Sequence, residues 1–304
     1  MIDLATLGAL RAVDVQGSVV AAADALGYTP SAVSQQIKRL ERQTGIALLE
    51  RVGRGVVLTA QGRELVAAGS RLLGELERLE SGLHRSVGAV AGQVRLAAFS
   101  TAMRGLVAPA MPGLLAAHPD LELALVEREP WDTIELVATG QYELGVVHSW
   151  GNVSIDVPDH VERRSIANDV ADVILHRCHR LATRDVLTPH DLIDEGWIAT
   201  PEGTICRQWL SRMYDGTGRR PRIIHESQEF ESHIAMARAR LGIALVPRLG
   251  RSTLHDDLVA VAVADPVPTR DVAVVYRRTM SESPAVQAII DALTTADALT
   301  TADA

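Results

Sequence analysis

Over residues 18–59 the spacing of apolar side chains switches from a helical to an extended period. Ser18 can cap a helix carrying Ala21, Ala22 and Ala23, small enough to admit a second helix, and Gly27 supplies the left-handed residue that ends it. Thr29 offers a second cap, with Pro30 at the first helical position, where a missing N–H does no harm. From there Val33, Ile37 and Leu40 recur at steps of four and three, one face of a helix. After Gly45, the runs Ile46–Arg51 and Val56–Thr59 flank Gly53-Arg54-Gly55 and predict a hairpin. Helix, tight turn, helix and small hairpin together predict an all-α winged helix-turn-helix over residues 1–59.

Residues 60–92 carry Leu65, Leu72, Leu76, Leu79, Leu83 and Val90. From Leu72 the steps alternate four and three, which predicts a long linker helix with a coiled-coil seam pairing two copies of the chain. Gly69 falls on that seam and would let the partner approach closely, although a helix lying on its own domain gives a similar pattern. Gly88 and Gly92 mark the exit.

Beyond them strand and helix patterns alternate. Strands are predicted over Val94–Phe99, Leu121–Val126 and Leu144–His148, with helices after Ser100 and over Trp131–Thr139. A second set has strands Val170–His176, Trp197–Thr200, Arg222–Glu226 and Ile243–Val246, with helices Ile205–Tyr214 and Phe230–Arg240. The strand Val272–Tyr276 and the helix Pro284–Leu293 close the pattern. Two α/β sets predict two lobes with a cleft between them. The hexapeptide LTTADA occurs twice, at Leu293–Ala298 and Leu299–Ala304, with no functional reading.

The helix from Pro30 turns Ser31, Ser34, Gln35, Lys38 and Arg42 opposite its aliphatic face, with Arg39 on the flank. Gln pairs bidentately with adenine, Arg or Lys with guanine, and both cations hold phosphates. Arg51 and Arg54 on the hairpin suit phosphates or a narrow minor groove. These eight residues are the candidate contacts to double-stranded DNA. The net charge of −8 runs against that partner only until it is divided. Residues 1–65 hold seven basic and six acidic side chains, whereas the remaining 23 basic and 32 acidic ones leave the body at −9. The acidic body repels phosphate and confines contact to the head.

The chain is 47% hydrophobic and 22% charged, the balance of a globular protein. Two cysteines make no disulfide framework, no apolar run is long enough to span a membrane, and no basic-then-apolar leader opens the sequence. A cytoplasmic location is expected.

The N-terminal pattern resembles the LysR-type transcriptional regulators. The residues that carry it are Ser18 with Ala21–Ala23, Ser31-Ala32-Val33-Ser34, Ile37, Leu40-Glu41, Gly45, Leu48, Glu50-Arg51, Leu58-Thr59 and Gly62. Val19 and Leu49 stand where the family commonly has Phe, a change of core packing rather than of the DNA surface. The resemblance implies a homodimer, assembled as a tetramer of two dimers, that binds an interrupted inverted repeat. It also implies contact with RNA polymerase and an effector part with two α/β lobes of periplasmic-binding-protein type, over residues 93–304. The chain would cross between lobes near Val161–Ala167 and Ala262–Pro268, giving lobe I as 93–164 plus 266–304 and lobe II as 165–265.

In such a cleft, strand ends and helix N-termini face a small-molecule effector. The candidates are Ser100, Thr101, Glu129, Trp131, His148, Ser149, Thr200, Glu226, Ser227 and Gln228, of which the resemblance supports Ser100, Thr101 and Thr200 best. His176-Arg177-Cys178-His179 is the one metal-like cluster, and strand alternation would send His179 away from His176 and Cys178. No cofactor is expected, and no nucleophile elbow, phosphate loop or dinucleotide fingerprint supports an enzyme. Cys206, near a predicted helix N-terminus, offers a redox-sensing alternative through a lowered thiol pKa. A ligand-binding protein whose head merely dimerises is the other alternative.

Overall fold

A computed structural model describes residues 2–53, 55–86 and 88–300. Asp3 caps α1 (Leu4–Gln16), Ser18 caps α2 (Val19–Leu26), and Thr29 caps α3 (Pro30–Thr44); each side chain accepts an early backbone N–H. Gly27 closes α2 at φ 67°, a left-handed backbone that favours glycine. Leu10, Ala22, Val33, Ile37, Leu40, Leu48 and Leu58 form one small core. The wing pairs β1 (Leu49–Val52) antiparallel with β2 (Gly55–Leu58). Glu41 ties it to α3, its Oε1 accepting the N–H groups of Leu48 at 2.9 Å and Leu49 at 3.3 Å.

The linker helix α4 (Ala60–Ser86) begins at Thr59, whose Oγ1 accepts Gly62 N–H at 3.0 Å. A Cβ on Gly62 would lie 2.3 Å from the Leu48 carbonyl oxygen, so only glycine lets α4 sit against the wing. Gly69 admits no partner chain: its open side is filled by Leu7 of α1, in the same molecule. Leu72, Leu76, Leu79 and Leu83 remain exposed along the helix.

The effector part begins with β3 (Gly92–Ala98). After it, α5 (Ser100–Ala102) runs through a π-helical turn (Met103–Val107) into α6 (Ala108–Ala117). Then come β4 (Leu121–Glu127), α7 (Pro130–Ala138), β5 (Leu144–Trp150), β6 (Val161–His176), β7 (Val186–Leu187) and β8 (Gly196–Ala199). α8 (Ile205–Arg212), β9 (Arg222–Glu226), α9 (Phe230–Arg238), β10 (Ile243–Pro247), β11 (Leu258–Val263), β12 (Thr269–Arg277) and α10 (Pro284–Thr300) complete it. One path of strands runs β4-β3-β5-β12-β6-β10-β8-β9. β3 lies parallel between β4 and β5, and its buried apolar residues suit a strand covered on both faces.

β6 is a single strand shared by two halves. It pairs with β12 from Val161 to Val170 and with β10 from Ala171 onward. The first crossing therefore falls at Val170–Ala171, later than the Val161–Ala167 expected from sequence, because Val161–Asp169 is already strand rather than connection. The chain leaves β11 at Val263 and enters β12 at Thr269. β11 itself, Leu258–Val263, is a strand the sequence pattern did not yield. α10 extends past Leu293 and takes in the first LTTADA copy; residues 301–304 of the second lie outside the described residues.

Candidate DNA interface and effector cleft

The core of the head fixes which face of α3 is free. Val33, Ile37 and Leu40 are buried, while Ser31, Gln35, Lys38, Arg39 and Arg42 are exposed and Ser34 is half-buried. Arg39 makes a loose, exposed ion pair with Asp3 at 3.6 Å, which a phosphate can displace. Arg51 is exposed on β1, and Arg54 lies outside the described residues. Glu41, which sequence reasoning assigned no contact, holds the wing beside this face through the two hydrogen bonds above.

In the effector part, the C-terminal ends of β3 and β5 meet the start of β12. Register places Trp150 opposite Arg270 and His148 opposite Val272, so His148, Trp150 and Arg270 share one face. Arg270 is wholly buried. Its Nε donates to Asp169 Oδ2 at 2.7 Å and its Nη2 to Thr101 Oγ1 at 2.8 Å. Its guanidinium carbon lies 5.1 Å from the Phe99 ring and 5.7 Å from that of Trp150. Asp169 in turn accepts the N–H groups of Val170 and Leu249. His148 packs edge-on against Phe99; burial, then the Arg270 charge, holds its pKa well below the usual value, so the imidazole is neutral.

The second lobe closes on this group. Trp209 of α8 stacks on Trp150 with centroids 6.2 Å apart. Thr200 is buried and shares a 2.7 Å hydrogen bond with Thr204, the cap of α8. A cavity of about 20 Å³ remains between Trp150, Thr200, Cys206, Phe230, His233 and Leu245. Leu249, from the turn after β10, is buried in the core of the first lobe. Beside it two glycines meet: a Cβ on Gly105 would lie 2.4 Å from Gly250 N, and one on Gly250 2.2 Å from Thr101 O. At the rim Glu129 meets Gln228, and Arg104 reaches Gly250 O at 3.1 Å and Glu229 at 3.4 Å. Burial raises the Glu129 pKa against the opposing Gln228 hydrogen bond.

Thr101, His148 and Thr200 thus gather in the enclosed region, with Ser100 half-buried beside Thr101. Glu129, Gln228 and Ser227 lie at the rim; Ser227 Oγ accepts Glu229 N–H in a local turn. Three candidates point elsewhere. Ser149 faces the opposite side of the sheet, where its hydroxyl accepts from Arg163, because alternation on β5 reverses it relative to His148. Glu226 is exposed and paired with Arg207 at 2.9 Å. Trp131 is 38% exposed on the outside of α7. Arg270, Asp169, Trp150 and Trp209 were not singled out from sequence.

The two non-DNA chemistries separate here. Among the described residues no group of three or more His, Cys, Asp and Glu side chains could hold a metal ion. His176, at the end of β6, and His179, in the turn that follows it, instead accept nearby backbone N–H groups. Burial pushes the Cys206 thiol up to about 12, overriding the helix N-terminus invoked for a lowered value. Cys178 is exposed. Among the described residues, no helix is long and apolar enough to cross a membrane.

Residues 4–63 match the bacterial regulatory helix-turn-helix protein family of lysR type, and residues 88–298 match the LysR substrate binding domain. The HTH-type transcriptional regulator YfeR of Shigella flexneri is 27% identical over 270 residues, spanning 89% of this chain and 86% of its own length. A full-length OxyR variant from Pseudomonas aeruginosa has the same fold, with a TM-score of 0.73 at 18% identity over 96% of this chain and 95% of that one. Full-length CbnR in complex with its target DNA superposes with a TM-score of 0.57 at 18% identity over 97% and 99% of the two chains. With a helix-turn-helix head and a two-lobed sensor matched in order along nearly the whole sequence, the chain belongs to the LysR family of DNA-binding transcriptional regulators.

Proposed function

We propose that paired copies of this chain grip an interrupted inverted repeat through α3 and the wing, and that a small molecule between the lobes resets the spacing of the two heads. One observation carries the reading. α3 buries its aliphatic side while Ser31, Gln35, Lys38, Arg39 and Arg42 stand exposed, with Arg51 exposed on the adjoining hairpin. Those side chains supply base-edge and phosphate contacts from a single surface. The DNA complex formed by CbnR supports the same use of the head here.

Pairing is supported by Leu72, Leu76, Leu79 and Leu83, an exposed apolar strip too regular for a solvated helix. Assembly of dimers into a tetramer, contact with RNA polymerase and a cytoplasmic location complete the proposal, which assigns no catalytic step. The effector must bind one lobe arrangement better than the other, or it shifts nothing.

Band-shift titration on the DNA flanking the protein's own gene tests this. Gln35→Ala is expected to remove about 1–3 kcal/mol of discrimination at one base pair. Arg51→Ala should weaken all duplexes alike and lower the slope of log affinity against log salt by about one. Undiminished binding in both variants overturns the assignment.

A further inference from the structure

The closed cleft holds unpaired or weakly paired buried nitrogens: the ring Nδ1 atoms of His148 and His233, and N–H groups of an arginine and two tryptophans. Arg270 uses Nε on Asp169 and Nη2 on Thr101, but its buried Nη1 has no partner. The buried indole N–H of Trp209 has none either, and that of Trp150 meets only the protonated Cys206 thiol, a weak acceptor. Buried polar groups are nearly always paired, and these three are donors only, so what completes them must supply acceptors. The two indoles stack, and the guanidinium lies 5.7 Å from the Trp150 ring, so the donors occupy one region at the lobe boundary.

We propose that the effector is a small carboxylate, received by Arg270 Nη1 and the indole N–H groups of Trp150 and Trp209. The proposal rests on the reading of this cleft as the effector site and gives that site its ligand class. A cation would face the buried charge of the Arg270 guanidinium. A neutral amide offers one good acceptor, whereas a carboxylate has two oxygens and the charge that strengthens each bond. Asp169 already balances Arg270 along the Nε edge, so one negative charge suits the pocket better than the two of a phosphate. Trp150 belongs to β5 of the first lobe and Trp209 to α8 of the second. A carboxylate held by both favours the closed arrangement, which is the differential affinity a switch requires. The cavity of about 20 Å³ means that the lobes part to admit the ligand.

The test uses the full-length protein at matched ionic strength, with butyrate, succinate and L-leucine set against butyramide, succinamide, L-leucinamide, butylamine and inorganic phosphate. Melting temperature and tryptophan emission are the readouts. At least one carboxylate should raise the melting temperature and change emission, with its amide at least tenfold weaker. Arg270→Lys, which keeps a charge but loses the fork, should weaken that carboxylate at least tenfold. Trp209→Phe keeps the stack and should weaken it severalfold; an unchanged circular dichroism spectrum and a cooperative thermal transition confirm that both variants fold. An amide, amine or phosphate that binds as well as the best carboxylate, and is weakened by Trp209→Phe, removes the carboxylate but leaves the cleft as effector site. A carboxylate effect untouched by either variant places binding elsewhere and overturns the proposal. No response to any compound overturns both.

Discussion

Two single side chains show how burial decides chemistry in this protein. Cys206 sits one residue into α8, where the helix N-terminus favours a thiolate, yet desolvation wins and the thiol stays protonated at neutral pH. Iodoacetamide is expected to label Cys178 alone in the native protein and both cysteines in urea. Labelling of Cys206 in the native state would revive redox sensing. His148 is held neutral by burial and then by Arg270, and His233 by burial. Their native pKa values lie below the unfolded value of about 6.5, so their contribution to stability is present above that pH and lost as pH falls. Glu129, raised by burial, acts with the opposite sign. The urea midpoint should therefore drop between pH 7.5 and 5.5, and drop less in His148→Asn; equal drops would dismiss His148 as a source.

Among elements, the junction of wing and linker tolerates little change. Gly62→Ala forces a methyl group to 2.3 Å from the Leu48 carbonyl and should destabilise the head by about 1–3 kcal/mol. Urea unfolding and duplex affinity check it, and a stability equal to wild type would mean that α4 can slide on the wing. The caps of α2 and α3 were legible in the sequence because Ser18, Gly27, Thr29 and Pro30 act on their immediate neighbours. The first half of β6, VERRSIAND, was not, since its polar residues carry no alternation and become strand only by pairing with β12 about a hundred residues away. Arg270 escaped notice for the same reason. An arginine between Thr269 and Asp271 reads as a solvated charge until β5, β6 and β12 enclose it. Gly69 fitted a seam by spacing alone, and only the packing of α1 shows what fills it.

At the scale of the whole molecule, the lobes are pressed together at Gly105 and Gly250, with Leu249 crossing into the opposite core. Gly105→Val is expected to hold them apart, giving a larger radius of gyration by small-angle scattering at unchanged oligomeric state. An unchanged profile would show that the turn at Gly250 yields instead. The sensor is also joined to the linker: Arg277 and Thr279 both hold Glu77 of α4, and Arg277 further donates to the Val137 and Tyr142 carbonyls. Two α/β sets in the sequence foretold two lobes, but not this clamp, whose partners lie 200 residues apart.

The unbroken run of β6 through both lobes sets the mechanics of signalling. A strand bonded along its length cannot swing like a loop; it can only twist a little. From the clamp at Glu77 to the wing, α4 extends over Ala60–Glu77, an arm of about 25 Å at 1.5 Å per residue. A twist of about 5°, well within the scatter of strand angles in real sheets, moves the tip of that arm by about 2 Å. Opposed arms in a dimer double this to about 4 Å, close to the ~3.4 Å rise of one base pair. The lever thus converts a small torsion into a change of one step along the duplex, and lengthening the operator spacer by one base pair should reverse which state binds more tightly.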